Sequence, residues 1–187
     1  MERRDFLKSA CAAGLCSCAV ATLIAGDGTP AETPPAAPPS PEDWRIGFAK
    51  QRYGKLVSTV AAKVDPATFA AIIEEVGQFC GGTGFAGQFV GNLDGFIEEL
   101  RKRWKAQVEH DQERGAVRLS FDSAGGDCHC PLMSKATVPP AACRCSVGSI
   151  RQMFTIVAQR PVGCELTESV LQGGARCAFE VRLAVPA

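Results

Sequence analysis

Four cysteines lie in two closely spaced pairs in the second half of the chain. Each pair has the form Cys-X-Cys, and twelve residues separate the pairs, which are Cys128 with Cys130 and Cys143 with Cys145. Four thiolates suffice to close a tetrahedral zinc site, and four thiolates also hold iron–sulfur clusters. Pro131 follows the first pair, so the backbone can turn there without interrupting a helix or strand. The spacing therefore predicts a zinc or iron–sulfur site in this loop.

Other chemistries fit the same four thiols. Cu(I) also prefers soft sulfur ligands. Two disulfides would form in an oxidising compartment, and a reactive thiol pair could serve as a redox switch. His129 lies between two of the cysteines, and we expect it to point away from a metal that both neighbours hold. Seven cysteines follow Gly26, an odd number, so at least one thiol stays unpaired even if disulfides form.

Four further residues outside the paired cysteines could carry chemistry. Cys80 ends an apolar stripe beside two glycines, and is either a packed thiol or a nucleophile. Cys164 and Cys177 fall on the inner face of a C-terminal hairpin if Gly173-Gly174 forms a two-residue turn, as buried small residues or as the lining of a ligand pocket. The same register turns Glu168 inward as a candidate general base, unless the strand bulges or ends before it.

The first 26 residues have the features of an export signal. Residues 3–8 read RRDFLK, which resembles the twin-arginine motif, and about 16 small or apolar residues follow. This stretch is too poor in large apolar residues for a membrane span. We expect export by the twin-arginine machinery to the periplasm or cell envelope, with cleavage after Gly26. The alternative is a lipid anchor on Cys18, so membrane contact is expected only through the signal or that anchor.

A tether and one folded domain follow the signal. Residues 27–41 are rich in proline and alanine and predict an extended linker, and residues 42–187 are long enough for a single α+β domain. The chain has no formal net charge, and the signal carries one net positive charge. The mature part is therefore slightly acidic, which argues against a nucleic-acid partner.

The periodicity of apolar residues predicts four helices and two hairpins. Helices are expected from Trp44 to Val64, from Pro66 to Cys80, from Asn92 to Trp104, and from a Ser146 cap to a residue before Pro161. Alternation of apolar and polar residues predicts one hairpin over residues 108–122 and another over residues 164–183. The predicted fold is α+β: an antiparallel sheet with helices packed on one face, and a cysteine-rich loop before the last helix and the C-terminal hairpin.

The cysteine pairs, the following helix and the segment ESVLQGGARCAF together resemble a bacterial cysteine-rich family. Its members are similar to 4-vinyl-reductase-type small-molecule-binding domains and to L-2-amino-thiazoline-4-carboxylic acid hydrolase-like proteins. The resemblance covers roughly residues 66–183. It implies an α+β domain that encloses a ligand pocket, with the paired cysteines as possible metal ligands and with a signature made of Glu168, Gly173, Gly174 and Cys177.

These observations lead to a binding function as the first hypothesis. A metal held by four cysteines would order the loop beside a pocket for a small-molecule ligand, and closed four-cysteine sites are structural more often than catalytic. The alternative is a hydrolase of a small ring or amide, with a metal-bound water or Cys80 as nucleophile and Glu168 as proton acceptor. A thiol-redox switch is the third hypothesis.

Overall fold

The computed structural model describes residues 41–123 and 127–183. The predicted export signal, the Cys18 anchor and the linker up to residue 40 lie outside these residues. Within the described ranges the chain forms four α-helices, four strands and several short 3-10 turns. In chain order they are α1 (Pro41–Ala61), α2 (Pro66–Gly82), α3 (Leu93–Trp104), β1 (Gln107–Asp111), β2 (Ala116–Asp122), α4 (Arg144–Ala158), β3 (Gly163–Glu168) and β4 (Arg176–Arg182).

The starts of α2 and α3 follow the capping signals in the sequence. Asp65 Oδ1 accepts hydrogen bonds from the amides of Ala67 and Thr68, each at 3.0 Å, and Pro66 occupies the first helical position. Asn92 Oδ1 accepts from the Gly95 amide at 3.0 Å in the same way. Side-chain oxygens thus satisfy backbone donors that a helix start leaves free. Both predicted helix starts are confirmed.

Helix α4 begins earlier than the predicted Ser146 cap. A 3-10 turn over Pro140–Cys143 runs directly into the helix, which starts at Arg144. Cys143 already has helical backbone angles, with φ −59° and ψ −18°, so it continues the turn instead of interrupting it. Cys145 therefore belongs to the first turn of α4, where its position is fixed by the helix.

The sheet is antiparallel throughout and has the strand order β1-β2-β4-β3. Its inner face is apolar, because Leu119 of β2 lies opposite Phe179 of β4, and Val117 lies opposite Val181. These side chains form the main core with apolar residues of α3 and α4, including Phe96 and Phe154. The helices cover this one face of the sheet, which confirms the predicted α+β fold.

The C-terminal hairpin has a different register from the predicted one. Cys164 lies opposite Val181, not Leu183, and the pairing shifts between Leu166 and Glu168. The strands are joined by a longer connection that includes a 3-10 turn over Val170–Gln172. The Ser169 carbonyl accepts from the amides of Gln172 at 3.1 Å and of Gly174 at 2.8 Å. Since these bonds close the turn from Ser169 onward, a two-residue glycine turn does not form.

Helices α2 and α4 cross with their backbones in direct contact. A β-carbon on Gly77 would overlap the carbonyl oxygen of Cys145 and would lie 2.7 Å from its carbonyl carbon. A β-carbon on Gly148 would likewise overlap the carbonyl oxygen of Glu74. Only glycine permits this approach. The crossing holds the first turn of α4, and Cys145 with it, against α2.

Helix α2 has both buried and exposed large apolar side chains. Phe69 and Ile73 of α2 are buried, whereas Ile72, Val76 and Phe79 on the same helix are exposed. No helix in the described ranges is long and apolar enough to cross a membrane.

Candidate functional site: a cluster of thiols

The four paired cysteines meet in one apolar cluster, separate from the main core. Cys143 and Cys145 are buried in it, and the half-buried Cys128 and Cys130 pack against it. The other buried members of this apolar cluster come from α1, from α2, from the chain between the two cysteine pairs, and from the 3-10 turn over Val170–Gln172. They are Val57, Phe69, Ile73, Met133, Val138, Ala142 and Leu171. We call the four cysteines the thiol cluster. The fold therefore brings together the two pairs that the sequence separates by twelve residues.

The thiols of the cluster are neighbours, but they are not arranged as a closed coordination site. Within residues 41–123 and 127–183, no three or more His, Cys, Asp or Glu side chains are placed so that they could hold a metal ion as they stand. All seven cysteines from Cys80 onward are free thiols. The donor type fits a thiophilic metal, and coordination would require the side chains to move closer together.

Asp127 fixes the start of the cysteine loop. Its Oδ1 accepts hydrogen bonds from the amide of Cys128 at 2.8 Å and from the amide of Lys135 at 3.0 Å. These bonds, that from Lys135 above all, lower the pKa of the Asp127 carboxyl. The Met133 amide donates to the Cys130 carbonyl at 3.2 Å. The loop between the two pairs is thus folded back on itself by hydrogen bonds at both cysteines of the first pair.

Burial keeps the thiols of Cys128, Cys143 and Cys145 protonated in the absence of a cation. Loss of solvent above all, with smaller contributions from neighbouring thiols, raises the pKa of Cys128 to about 11 and that of Cys145 to about 12. Burial also raises the pKa of Cys143, although its Sγ lies 2.6 Å from Ser169 Oγ in a hydrogen bond that favours the thiolate. These groups are neutral thiols near pH 7, so a bound cation would have to displace their protons.

Tyr53 of α1 belongs to this site and was not singled out by the sequence analysis. Burial above all, and then charge on Cys145 and on Cys130, raises the pKa of its phenol to about 12. Sequence reasoning placed Tyr53 only in the apolar stripe of the first helix. The sequence feature that could have drawn attention to this residue is that the chain contains a single tyrosine.

Cys80 lies at the edge of the thiol cluster and is exposed in the last turn of α2. Its charge would act on both Tyr53 and Cys145, so it is their neighbour. The interpretation as a packed thiol is wrong, because the helix turns this side chain away from the glycine face that contacts α4. Cys80 is therefore a thiol that solvent reaches first.

Glu168 does not point into the core. Its Oε1 accepts from the amides of Ala175 at 2.8 Å and of Arg176 at 3.3 Å, and its Oε2 lies 3.2 Å from Arg176 Nε. The bond from Ala175 is the largest cause of a lowered pKa. The register shift after Leu166 is what turns this side chain toward the turn. Glu168 closes the hairpin as an ionised carboxylate, and its predicted role as an inward general base is not supported.

Cys164 and Cys177 both contribute to the inner face of the hairpin, as predicted. Cys177 is buried in the main core opposite Phe121, and Cys164 is half-buried against the same core. Burial raises the pKa of Cys164 to about 12. Charge on Cys177 would raise the pKa of Cys128, which places it next to the thiol cluster. Cys164 instead lies near the charged residues described next.

A buried carboxylate joins α2 to α4 beside the cluster. Glu74 is only 8 % exposed and forms ion pairs with both Arg144 and Arg151. Charge pairing offsets the cost of burying the carboxylate. The partners are 70 or more residues apart in sequence, so no local pattern predicts this arrangement. Arg144 lies between Cys143 and Cys145, and its guanidinium is directed to Glu74.

His129 packs against two aromatic rings, those of Phe121 and Trp104. It is exposed, and its ring stacks on Phe121 with centroids 5.4 Å apart and planes inclined by 23°. The ring of Trp104 lies 6.1 Å from it.

The differences in exposure predict the order in which thiols react with iodoacetamide at pH 8. Cys80 is expected to be modified first, and Cys145 at least about a hundredfold more slowly, because burial limits access and a raised pKa leaves little thiolate. Peptide mass spectrometry over a time course measures both rates on metal-free protein. Equal rates would show that the cluster is open to solvent. A Cys80→Ser variant serves as the control for reagent that is consumed by the exposed thiol.

Comparisons with known proteins support the fold. No family model matches the chain, and no curated protein matches it. Among solved structures, it is similar to a trafficking protein particle complex subunit 3 from Naegleria fowleri, a protein covalently bound to palmitic acid. The two share 20 % identity with a TM-score of 0.53, over 76 % of this chain and 96 % of that one. At this identity the likeness concerns the fold alone, and the chain has the same kind of α+β architecture as this trafficking-complex subunit.

Proposed function

We propose that this domain binds a thiophilic metal through the thiol cluster and acts as a binding or sensing domain. The observation that carries the proposal is the convergence of four free thiols, from two distant Cys-X-Cys pairs, in one buried cluster. Two of these thiols precede an irregular loop segment and two lie at the start of a helix. Such a cluster offers a soft cation several sulfur ligands at once.

The chemistry of the buried thiols favours a metal over a purely packing role. Packed cysteines need no partners, but ionisation of Cys128 and Cys145 is opposed by burial above all and also by repulsion from neighbouring thiolates, and both effects raise their pKa. A cation reverses this repulsion, since it replaces the protons and pairs with the negative charge. The loop between the pairs belongs to no long helix or strand, so its side chains can approach an ion without disrupting the sheet.

A binding or sensing role agrees better with the geometry than catalysis does. The apolar cluster that surrounds the thiols is built from α1, α2, the cysteine loop and the turn at Leu171, so an ion bound to the thiols would link four parts of the chain. Metal occupancy could then change how α1 packs, which is what a sensor requires. Glu168, the candidate proton acceptor of a hydrolase, is held in the hairpin turn. Export to the periplasm or cell envelope remains part of this proposal.

The test is the metal content of three proteins purified without oxygen and without added metal. The wild-type chain is expected to carry bound metal, and a Cys143→Ser/Cys145→Ser double variant is expected to lose nearly all of it, because both substitutions remove buried ligands. Cys164→Ser is the matched control, since this cysteine lies outside the cluster. Plasma mass spectrometry gives the metal-to-protein ratio, and thermal unfolding verifies that each variant is folded.

Two results would contradict the proposal. The wild type and the Cys164→Ser variant would carry no metal, even after incubation with zinc, iron and sulfide, or Cu(I). Alternatively, the double variant would retain as much metal as the wild type, which would place the ion elsewhere in the chain.

A further inference from the structure

The outward side of helix α1 carries large apolar side chains that the rest of the fold does not cover. Trp44, Phe48 and Leu56 are between 50 % and 60 % exposed. Together with Arg52 they recur at every fourth position, so they follow one side of the helix. The ring centroid of Phe48 lies 6.2 Å from that of Trp44, and the Arg52 guanidinium lies 5.5 Å from the same Phe48 centroid. We call these four side chains the α1 stripe.

Other side chains of α1 attach the helix to the domain. Val57 is buried in the apolar cluster around the thiols, and Tyr53 packs against that cluster. Ser58 Oγ donates a hydrogen bond to the Thr137 carbonyl at 2.8 Å. Nearer the start of the helix, a β-carbon added to Gly47 would have nothing within 4 Å. The folded domain therefore holds the helix while the α1 stripe stays open to a partner.

The charges around the α1 stripe are all positive. Between Trp44 and Val64 the sequence has five Lys or Arg residues and no Asp or Glu, although the mature part as a whole is slightly acidic. Arg45 and Lys55 flank the stripe, since each lies three positions from one of its members. Among the side chains that the structure describes, neither these two nor Arg52 forms an ion pair. The stripe thus combines apolar surface with unneutralised positive charge.

This combination decides between the possible partners. A second copy of the chain is disfavoured, because two-fold pairing of the stripe would bring cations against cations. The phosphates of a nucleic acid would pair with the cations but would leave Leu56 in water. An anionic lipid surface satisfies both features, since aromatic and aliphatic side chains enter the interface while Arg and Lys extend their charged ends to the headgroups.

We propose that the α1 stripe is a membrane-binding surface that lays α1 on the headgroup region of an anionic bilayer. The proposal goes beyond the metal-binding function and does not depend on it. It also adds a membrane contact to the one that the sequence predicts for the export signal or the Cys18 anchor.

The fluorescence of Trp44 measures this contact at the stripe itself. The chain has two tryptophans, so a Trp104→Phe substitution leaves Trp44 as the single one. The full-length Trp104→Phe chain is mixed with vesicles of equal parts phosphatidylglycerol and phosphatidylcholine. Trp44 emission is expected to shift to shorter wavelength and to be quenched by lipids with brominated acyl chains. Vesicles of phosphatidylcholine alone should bind about a hundredfold more weakly, because each of three cations loses an attraction that changes affinity about fivefold.

Charge reversal in the same background tests the cations. The test variant is Arg45→Glu/Arg52→Glu/Lys55→Glu, and it should bind anionic vesicles at least about a hundredfold more weakly. The matched control changes the net charge by the same amount at three exposed cations on α3, in the β1–β2 turn and after α4. This control is Lys102→Glu/Arg114→Glu/Arg160→Glu. It should weaken binding by less than about threefold, because salt screens charges that are far from the contact.

A single substitution tests the apolar contact. Phe48→Ser should weaken binding to the anionic vesicles by about tenfold, since the ring no longer leaves water. Val90→Ser is the matched control, because Val90 is exposed to the same extent but lies outside α1. It should weaken binding by less than about twofold. Circular dichroism and thermal unfolding verify that every variant is folded.

Several results would overturn the proposal. Trp44 emission would not respond to anionic vesicles, or would respond equally to vesicles of phosphatidylcholine alone. Equal losses in the two triple variants would show a general attraction between charges and no specific contact at α1. A response to a single-stranded oligonucleotide without one to vesicles would identify a nucleic-acid surface, and a response to protein concentration alone would identify a second copy. The export signal is present in every variant, so its own contact with vesicles affects all of them alike.

Discussion

Replacing Gly77 by alanine is expected to lower the free energy of unfolding by about 3 kcal/mol or more, at the upper end of the cost of overpacking. The added methyl group would overlap the carbonyl oxygen of Cys145, and it would also lie 3.0 Å from the Ser149 amide nitrogen. Both atoms belong to the α4 backbone, so no side chain can rotate away. The two helices must separate, and they form the most extensive contact between elements of the fold.

Urea unfolding followed by circular dichroism measures this loss. Gly47→Ala is the matched control, because Gly47 also lies in a helix and has nothing within 4 Å of an added β-carbon. That substitution should leave stability unchanged or raise it by about 0.5–1 kcal/mol through helix propensity. Equal stability of the Gly77→Ala variant and the wild type would mean that the helices do not cross so closely.

The same substitution connects packing to the site. Because the overlap falls on Cys145, any separation of α2 from α4 moves a thiol of the cluster away from the others. We therefore expect metal affinity to fall together with stability in Gly77→Ala. The glycine contact positions a ligand that the sequence identifies only by its spacing.

The faces of α2 show where reading the sequence succeeds and where it fails. Apolar periodicity and the Asp65-Pro66 cap placed the helix correctly. The apolar stripe of this helix does not show which of its members are buried, and Phe79 is 72 % exposed. Gly77 and Gly81, which hydropathy ignores, make the contact with α4. A contact between a glycine and the backbone of the neighbouring helix has no hydrophobic signature, so it cannot be found by counting apolar residues.

The thiol cluster was predictable in its membership and not in its surroundings. Cys-X-Cys pairs are a local pattern, and the fold does bring the two pairs together. Tyr53 and Met133 come from segments without such a pattern, and their place at the site depends on how α1 and the loop pack. The ion pairs of Glu74 likewise depend on the crossing of two helices distant in sequence.

Glu168 illustrates how one local irregularity changes a predicted role. Alternation along an ideal strand would place it inward, but the register shifts immediately before it. A slip of one residue moves every later side chain to the other face. Free backbone amides at Ala175 and Arg176 then provide the carboxylate with better partners than the core could offer.

Truncation of Phe154 to alanine is expected to lower the free energy of unfolding by about 3–5 kcal/mol. Its side chain is fully buried, and its ring meets that of Phe96 edge-on, with centroids 5.2 Å apart. Removing a buried phenylalanine ring costs about 3–5 kcal/mol, because apolar transfer energy is lost and a cavity remains. The matched control is Phe79→Ala, which removes the same ring from an exposed position and should change stability by no more than about 0.5 kcal/mol.

Chemical denaturation of the three proteins tests this expectation, and Phe154→Leu provides a milder variant if alanine prevents folding. Similar losses for Phe154→Ala and Phe79→Ala would show that the exposed face of α2 is covered in solution. The two clusters of the fold also make separate predictions. Phe154 belongs to the main core and not to the thiol cluster. A folded Phe154→Leu chain should therefore bind metal as the wild type does, whereas loss of binding would show that the sheet core also sets the positions of the thiols.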